Sequence, residues 1–169
     1  TDIGAGTSGQ ALTSNGSATP PSWQTLVPTG VTLPFIGLTA PSGYVLASGK
    51  TIGSSASTAT ERANDDTEAL FTLLWNSWSN NEAPVTGGRG ASAAADWAAN
   101  KTIAVVDPRG ATIVGLDNIG GSAAGRITSA STNGANAVVP GGRIGSETHQ
   151  LTVPEMPSHV HDIGNFDQN

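Results

Sequence analysis

Only one stretch of this chain carries large apolar residues at helical spacing. In "ERANDDTEALFTLLWNSWSNNEAP" the residues Leu70, Phe71, Leu74, Trp75 and Trp78 recur at three- and four-residue intervals, which places them on one face of a helix. The acidic cluster Glu61, Asp65, Asp66 and Glu68 suits the positive end of the helix dipole. Asp65 with Glu68 three residues later reads as a capping box, and the turn-forming "SNNEAP" supplies the stop. A lone amphipathic helix cannot cover its own stripe, so the remaining chain must supply the second layer as short strands and loops.

Material for that layer is sparse. Aromatic residues make up 5 % of the chain and charged residues 12 %, against 22 glycines and 10 prolines. Such a chain buries little apolar surface per residue, and the entropy lost on ordering is harder to offset. Disorder usually accompanies a high charge density, which is missing here. The remaining solution is a core completed by neighbouring copies of the same chain.

The balance of charge argues against two partner classes. With a net charge of −6, two lysines and five arginines, the chain lacks the cations that neutralise nucleic-acid phosphates or dock on acidic membranes. No apolar run reaches the length of a membrane-spanning helix, so no membrane insertion is expected. The absence of cysteine excludes disulfides and thiolate metal sites. The chain opens "TDIGAG" without a methionine and without a secretion signal, the expectation for a fragment or a processed form.

Residues 1–29 show no helical period. Asn15-Gly16 between "QALTS" and "PSWQTL" predicts a hairpin whose Leu12, Trp23 and Leu26 need a partner to bury them. From Gly30 the β-rich runs Val31–Leu38, Tyr44–Ala47 and Lys50–Ile52 alternate with Pro-Ser-Gly and Ser-Gly turns, predicting a tight β unit. A Gly/Ala-rich excursion over 84–100 holds one helical turn at Ala93–Ala99. "KTIAVVDPRGATIVGLD" reads as two strands joined at Asp107-Pro108-Arg109-Gly110, where Asp107 and Arg109 stabilise the turn or, alternatively, clamp a substrate. Asn118–Ser146 is loop-like, and its scattered glycines match neither a phosphate-binding loop nor a dinucleotide fingerprint.

Two of the three histidines, His159 and His161, stand one residue apart in "MPSHVHDIG". On an extended strand both imidazoles face the same side, a geometry that grips one metal ion. Two ligands are too few, since structural zinc takes four and catalytic zinc three. His149, Glu155 and Asp162 lie near in sequence without a recognised spacing. Three chains meeting on a threefold axis would bring six imidazoles, a closed octahedral shell that cross-links the chains and suits Fe(II) or Ni(II) better than zinc.

Several stretches together resemble a known family. "VTLPFIGLTAPSGYVLASGKTIG", "ALFTLLW", "VVDPRGATIVGLDNIGGSAAGRI" and "HQLTVPEMPSHVH" follow one another in the order seen in bacteriophage tail fibres carrying a tail collar domain, similar to the short and long tail fibres of T-even phages. "GTSGQALTSNGSATPPSWQ" is similar to units of tail-fibre shafts. An insertion over Asn80–Asn100, and Val106 where a proline often precedes the aspartate, depart from the pattern.

The resemblance implies a mainly β, α+β collar domain with one principal helix in an intertwined homotrimeric fibre segment. It divides the chain into a β-rich shaft or linker repeat (1–29), the collar domain (30–148) and an extended C-terminal segment carrying the His-x-His (149–169). It further implies a non-enzymatic virion component at the distal tail fibre, joined to other phage tail or baseplate proteins. Through the fibre tip it would contact a bacterial surface receptor, a polysaccharide or outer-membrane protein. His159 and His161 match the family's metal-binding His-x-His, which holds a structural ion on the threefold axis, iron in long-fibre relatives and zinc in the short fibre.

Two alternatives compete. A tailspike-like polysaccharide depolymerase needs two carboxylates flanking the scissile bond, and Asp96, Asp107 and Asp117 have no distinguishing context, while Trp23, Trp75, Trp78 and Trp97 read as core. A bacterial phage-tail-like particle with the same collar domain keeps the fold and changes the owner.

Overall fold

The computed structural model describes residues 4–6, 10–127, 137–144, 148 and 150–159. Among them the strands are short: β1 (Gln10–Thr13), β2 (Ser22–Thr25), β3 (Thr51–Gly53), β4 (Arg62–Ala63) and β5 (Ile103–Ala104). The helices are α1 (Glu68–Ser77) and α2 (Ala93–Ala98), with 3-10 turns at Asp65–Thr67 and Val153–Glu155. Small sheets around one principal helix are therefore the architecture, as the apolar pattern predicts.

β1 and β2 pair antiparallel, Leu12 opposite Trp23, around a loop longer than the two residues of a minimal hairpin. Asn15 holds that loop from inside: its side-chain amide donates to the Pro20 carbonyl (2.8 Å) and the Ser22 hydroxyl (2.9 Å), and its carbonyl accepts from the Gln24 amide at 2.9 Å. Gly16 adopts φ +93°, which its missing side chain permits at no cost. The Trp23 indole lies outside the main core; it donates to the Gly4 carbonyl and lies so close over Gly6 that no Cβ fits there.

The second sheet has the order β4-β3-β5, with β3 parallel to β4 and antiparallel to β5. Its face and α1 enclose the core: Ile52, Phe71, Leu74, Ala83, Val85, Ile103 and Val105 are buried. Val45, Leu70, Trp75, Trp78 and Trp97 close its edges. The Phe71 and Trp97 rings meet edge to face with centroids 5.3 Å apart, which seats α2 on α1. The helical stripe read from the sequence is thus the packing face.

The start of α1 differs from expectation. A 3-10 turn over Asp65–Thr67 precedes the α-helix and is capped by Asn64, whose side chain accepts from the Asp66 N–H at 3.0 Å. Thr67, at the N-cap of α1 itself, makes no side-chain capping bond, and Asp65 caps neither. Asp65 is drawn instead to the Ser55 N–H at 2.8 Å. Thr67, buried beneath this turn, donates its hydroxyl to the Gly53 carbonyl at 3.0 Å and so locks the helix entry to β3. Glu61 accepts from the Leu46 N–H (3.0 Å) and the Ser48 hydroxyl (2.7 Å), tying the 44–48 loop alongside β4.

Three expected strands are absent. Val31–Leu38, Tyr44–Ala47 and the run after Gly110 form none; of the β-rich runs before the helix only the last becomes β3, over Thr51–Gly53, and "KTIAVV" yields only β5. Strand propensity describes fit to a pleated, half-buried surface, and these segments have no neighbouring strand among the described residues. Leu33, Phe35, Ile36 and Leu38 are exposed, Ile36 and Leu38 almost completely at 104 % and 96 %. Ile113, Val114 and Ile119 are exposed likewise, as are Leu151 and Val153.

Candidate functional site

The segment leading to the His-x-His folds locally. Thr152 donates both its backbone N–H (2.7 Å) and its hydroxyl (2.8 Å) to the Glu155 carboxylate, and the 3-10 turn Val153–Glu155 follows. Glu155 is thereby engaged as the clasp of its own turn. Beyond it the chain extends through Pro157, and His159 stands exposed with Nδ1 3.1 Å from the Pro157 carbonyl oxygen. A carbonyl only accepts, so Nδ1 is the donor in this contact. Metal-ligating imidazoles commonly donate one ring N–H to a backbone carbonyl in this way. His159 therefore fits a ligand's role. His161, His149 and Asp162 lie outside the described residues. Among the described residues no three His, Cys, Asp or Glu side chains come together to hold an ion.

The three carboxylates singled out in the sequence are all engaged by internal donors. Asp96, on α2, is buried with 2 % of its surface exposed. It receives the Trp75 indole N–H at 2.9 Å, the Gly90 N–H at 2.8 Å and the Lys101 ammonium at 2.8 Å. Burial pushes this carboxyl up, but the bonds from Lys101, Gly90 and Trp75, with the Lys101 charge, outweigh it and the net displacement is downward. Lys101 also donates to the Gly88 carbonyl at 2.8 Å. Arg89 lies over the Trp75 ring, 5.2 Å from its centroid, and its guanidinium donates to the Trp75 and Ala83 carbonyls. Among the described residues the Arg89 Nε is the buried side-chain polar atom with no hydrogen-bond partner.

This assembly is built largely from the segment 80–101. Ser92 caps α2 by accepting the Ala95 N–H at 3.1 Å, and Asn100, in the left-handed region at φ +55°, ends it. Asp96 then joins α1, the 88–90 loop and Lys101 in one polar knot beside the core. Sequence reasoning left this residue among the candidate catalytic acids. The local signal was an aspartate next to Trp97 within an otherwise all-alanine helix, a position where solvation alone gives no reason for a charge.

Asp107 and Arg109 form a fork, Nε to Oδ1 at 2.7 Å and NH2 to Oδ2 at 2.8 Å, across a turn closed by the Ala111 N–H on the Pro108 carbonyl. Arg109 holds the Asp107 carboxyl down at about 2. The geometry is that of a self-stabilised turn, with Gly110 at φ +70°. Asp117 accepts the backbone N–H of Gly125 (2.8 Å), Arg126 (3.0 Å) and Ile127 (3.4 Å). The Gly125 bond leads in holding its carboxyl below the usual range, against desolvation. Asp117 thus organises the glycine-rich loop that follows it.

No known family model matches the chain, and no curated protein or solved structure matches it significantly. Among the described residues, no helix is long and apolar enough to cross a membrane.

Proposed function

We propose that the chain is a segment of a bacteriophage tail fibre, a homotrimer whose collar fold joins the shaft to the receptor-binding tip for attachment to a bacterial surface. One observation carries this reading. A small core closes around Phe71, while Leu33, Phe35, Ile36, Leu38, Ile113, Val114, Ile119, Leu151 and Val153 remain outside it. Isolated exposed apolar residues are ordinary, but a run of them in one extended segment marks an interaction surface. Sister chains wound about a common axis would bury these side chains and make up the apolar area that one copy lacks.

In such a trimer His159 and His161 of each chain hold the axial ion, iron or zinc, and the metal supplies a cross-link between chains. The hydrogen bond from Nδ1 to the Pro157 carbonyl supports His159 in that role, because metal-ligating imidazoles commonly donate a ring N–H to a backbone carbonyl. The engagement of Asp96, Asp107 and Asp117 by internal donors, each held ionised, favours an adhesive role over glycoside hydrolysis. A general acid in that reaction needs a carboxyl displaced upward, and all three are displaced downward. The test is sedimentation equilibrium together with incubation on bacterial surface polysaccharide. A particle of three times the 16.9 kDa chain mass and no released oligosaccharide support the reading; a monomer, or steady release of oligosaccharide, overturns it.

A further inference from the structure

We infer that the arm Thr32–Gly37, which runs up to a bend at Leu38–Thr39, is completed by a second copy of this chain, pairing through its backbone as an added strand. The inference rests on the trimeric reading and names the segment and the bonding that the assembly uses. The arm is bounded by a bond from the Val31 N–H to the Pro28 carbonyl and one from the Tyr44 N–H to the Pro41 carbonyl. Between them, from Thr32 to Ala40, no backbone N–H or C=O bonds to another group among the described residues. An extended segment with a row of unpaired donors and acceptors is a template for a strand from another chain.

Its side chains specify what that chain must be. In an extended conformation Leu33 and Phe35 fall on one face and Ile36 on the other, with Leu38 exposed at the bend that follows, so both faces are apolar and both require cover. The Phe35 ring already lies over Gly37, where a Cβ would come within 2.3 Å of it, so this face is packed flat along the strand. Pro34 lacks a donor, which assigns the arm to a sheet edge.

Charge then selects a second copy as the occupant. Between Asp2 and Lys50 the chain contains no Asp, Glu, Lys, Arg or His, although it carries −6 overall. Identical copies repel through their acidic surfaces, and a contact made through this neutral stretch is one where that repulsion is least. A nucleic acid or an acidic polysaccharide would find no cation on the arm to meet it.

Amide hydrogen exchange on the native protein tests this, with sedimentation run on the same sample. The expected result is an oligomer in which the amides of Leu33, Phe35 and Ile36 exchange at least about tenfold slower than in free peptide. Ile36→Asp with Leu38→Asp is expected to give a monomer whose near-ultraviolet circular dichroism, dominated by the core tryptophans, is unchanged, because the arm lies outside that core. An oligomer whose arm amides exchange at the free-peptide rate overturns the inference and leaves the trimeric reading standing. Protection that survives in a monomer means that the chain covers its own arm, which overturns the inference too. A wild-type monomer with unprotected arm amides overturns both.

Discussion

The indole N–H of Trp75 donates to the carboxylate of Asp96 at 2.9 Å, joining the apolar face of α1 to the buried side of α2. The bond has a structural consequence because Asp96 also holds Lys101 and the Gly90 N–H. One carboxylate on α2 therefore fastens α1, the 88–90 loop and Lys101 together beside the core. Asp96→Asn removes the negative charge while keeping the shape. It leaves Lys101, whose side chain is 27 % exposed, without its counter-ion. The expected cost is about 3 kcal/mol, the lower part of the range for breaking a buried pair, since water reaches Lys101. Urea unfolding of the variant checks it.

The same pair sets a pH dependence. The Asp96 carboxyl is displaced downward in the folded chain, so the unfolded chain binds its proton more readily. Its stabilising effect is complete above the unfolded value of about 4 and disappears as pH falls through the lower folded value. Wild type is therefore expected to lose stability on acidification below about pH 4, and Asp96→Asn to show a flatter profile there. Thermal unfolding at a series of pH values measures the difference.

Phe71 is fully buried in the same core as Ile52 and Ile103 and meets the Trp97 ring edge to face. Phe71→Ala is expected to destabilise the fold by about 4 kcal/mol, which in so small a core removes a large part of the total stability. Leu73, on the exposed side of the same helix, is the comparison; Leu73→Ala is expected to cost about 1 kcal/mol or less.

Asp107 and Arg109 give a local titration. With its carboxyl held at about 2, Asp107 stays ionised through the range where ordinary carboxylates protonate. Carbon-detected NMR is expected to show the Asp107 carboxyl titrating near that value in wild type. In Arg109→Ala it returns toward the ordinary range, because the charge and the two bonds that favour the ionised form are gone. An unchanged midpoint in the variant would mean the fork is not formed in solution.

How much of this was legible in the sequence depended on how local each cause is. The α1 stripe, the β1–β2 hairpin, the short α2 and the Asp107–Arg109 turn all follow from residues a few positions apart and are present. The hairpin, however, closes through a loop over 14–21 and not a two-residue Asn15-Gly16 turn. The expected Asp65 cap of α1 is not made: Asn64 caps a preceding 3-10 turn, Thr67 stands at the N-cap of α1, and the Asp65 carboxylate accepts from the Ser55 N–H in another loop. Asp96 was not legible: its donors come from positions 75, 90 and 101, and only the fold gathers them. Val31–Leu38 has the composition of a strand, but composition supplies no pairing partner. Of the metal pair, His159 is placed and bonded to Pro157, whereas His161 lies outside the described residues.

The metal reading makes its own prediction. His159→Ala and His161→Ala are each expected to lower bound metal and the melting temperature together, since an ion held only by the folded assembly adds its binding energy to stability. Loss of metal with an unchanged melting temperature would detach the ion from the assembly.

Native mass spectrometry of the purified chain tests the central claim most directly, because it counts chains and ions in one particle. The account predicts three chains with one bound metal ion. A single metal-free chain of 16.9 kDa, persisting as protein concentration rises, would contradict it.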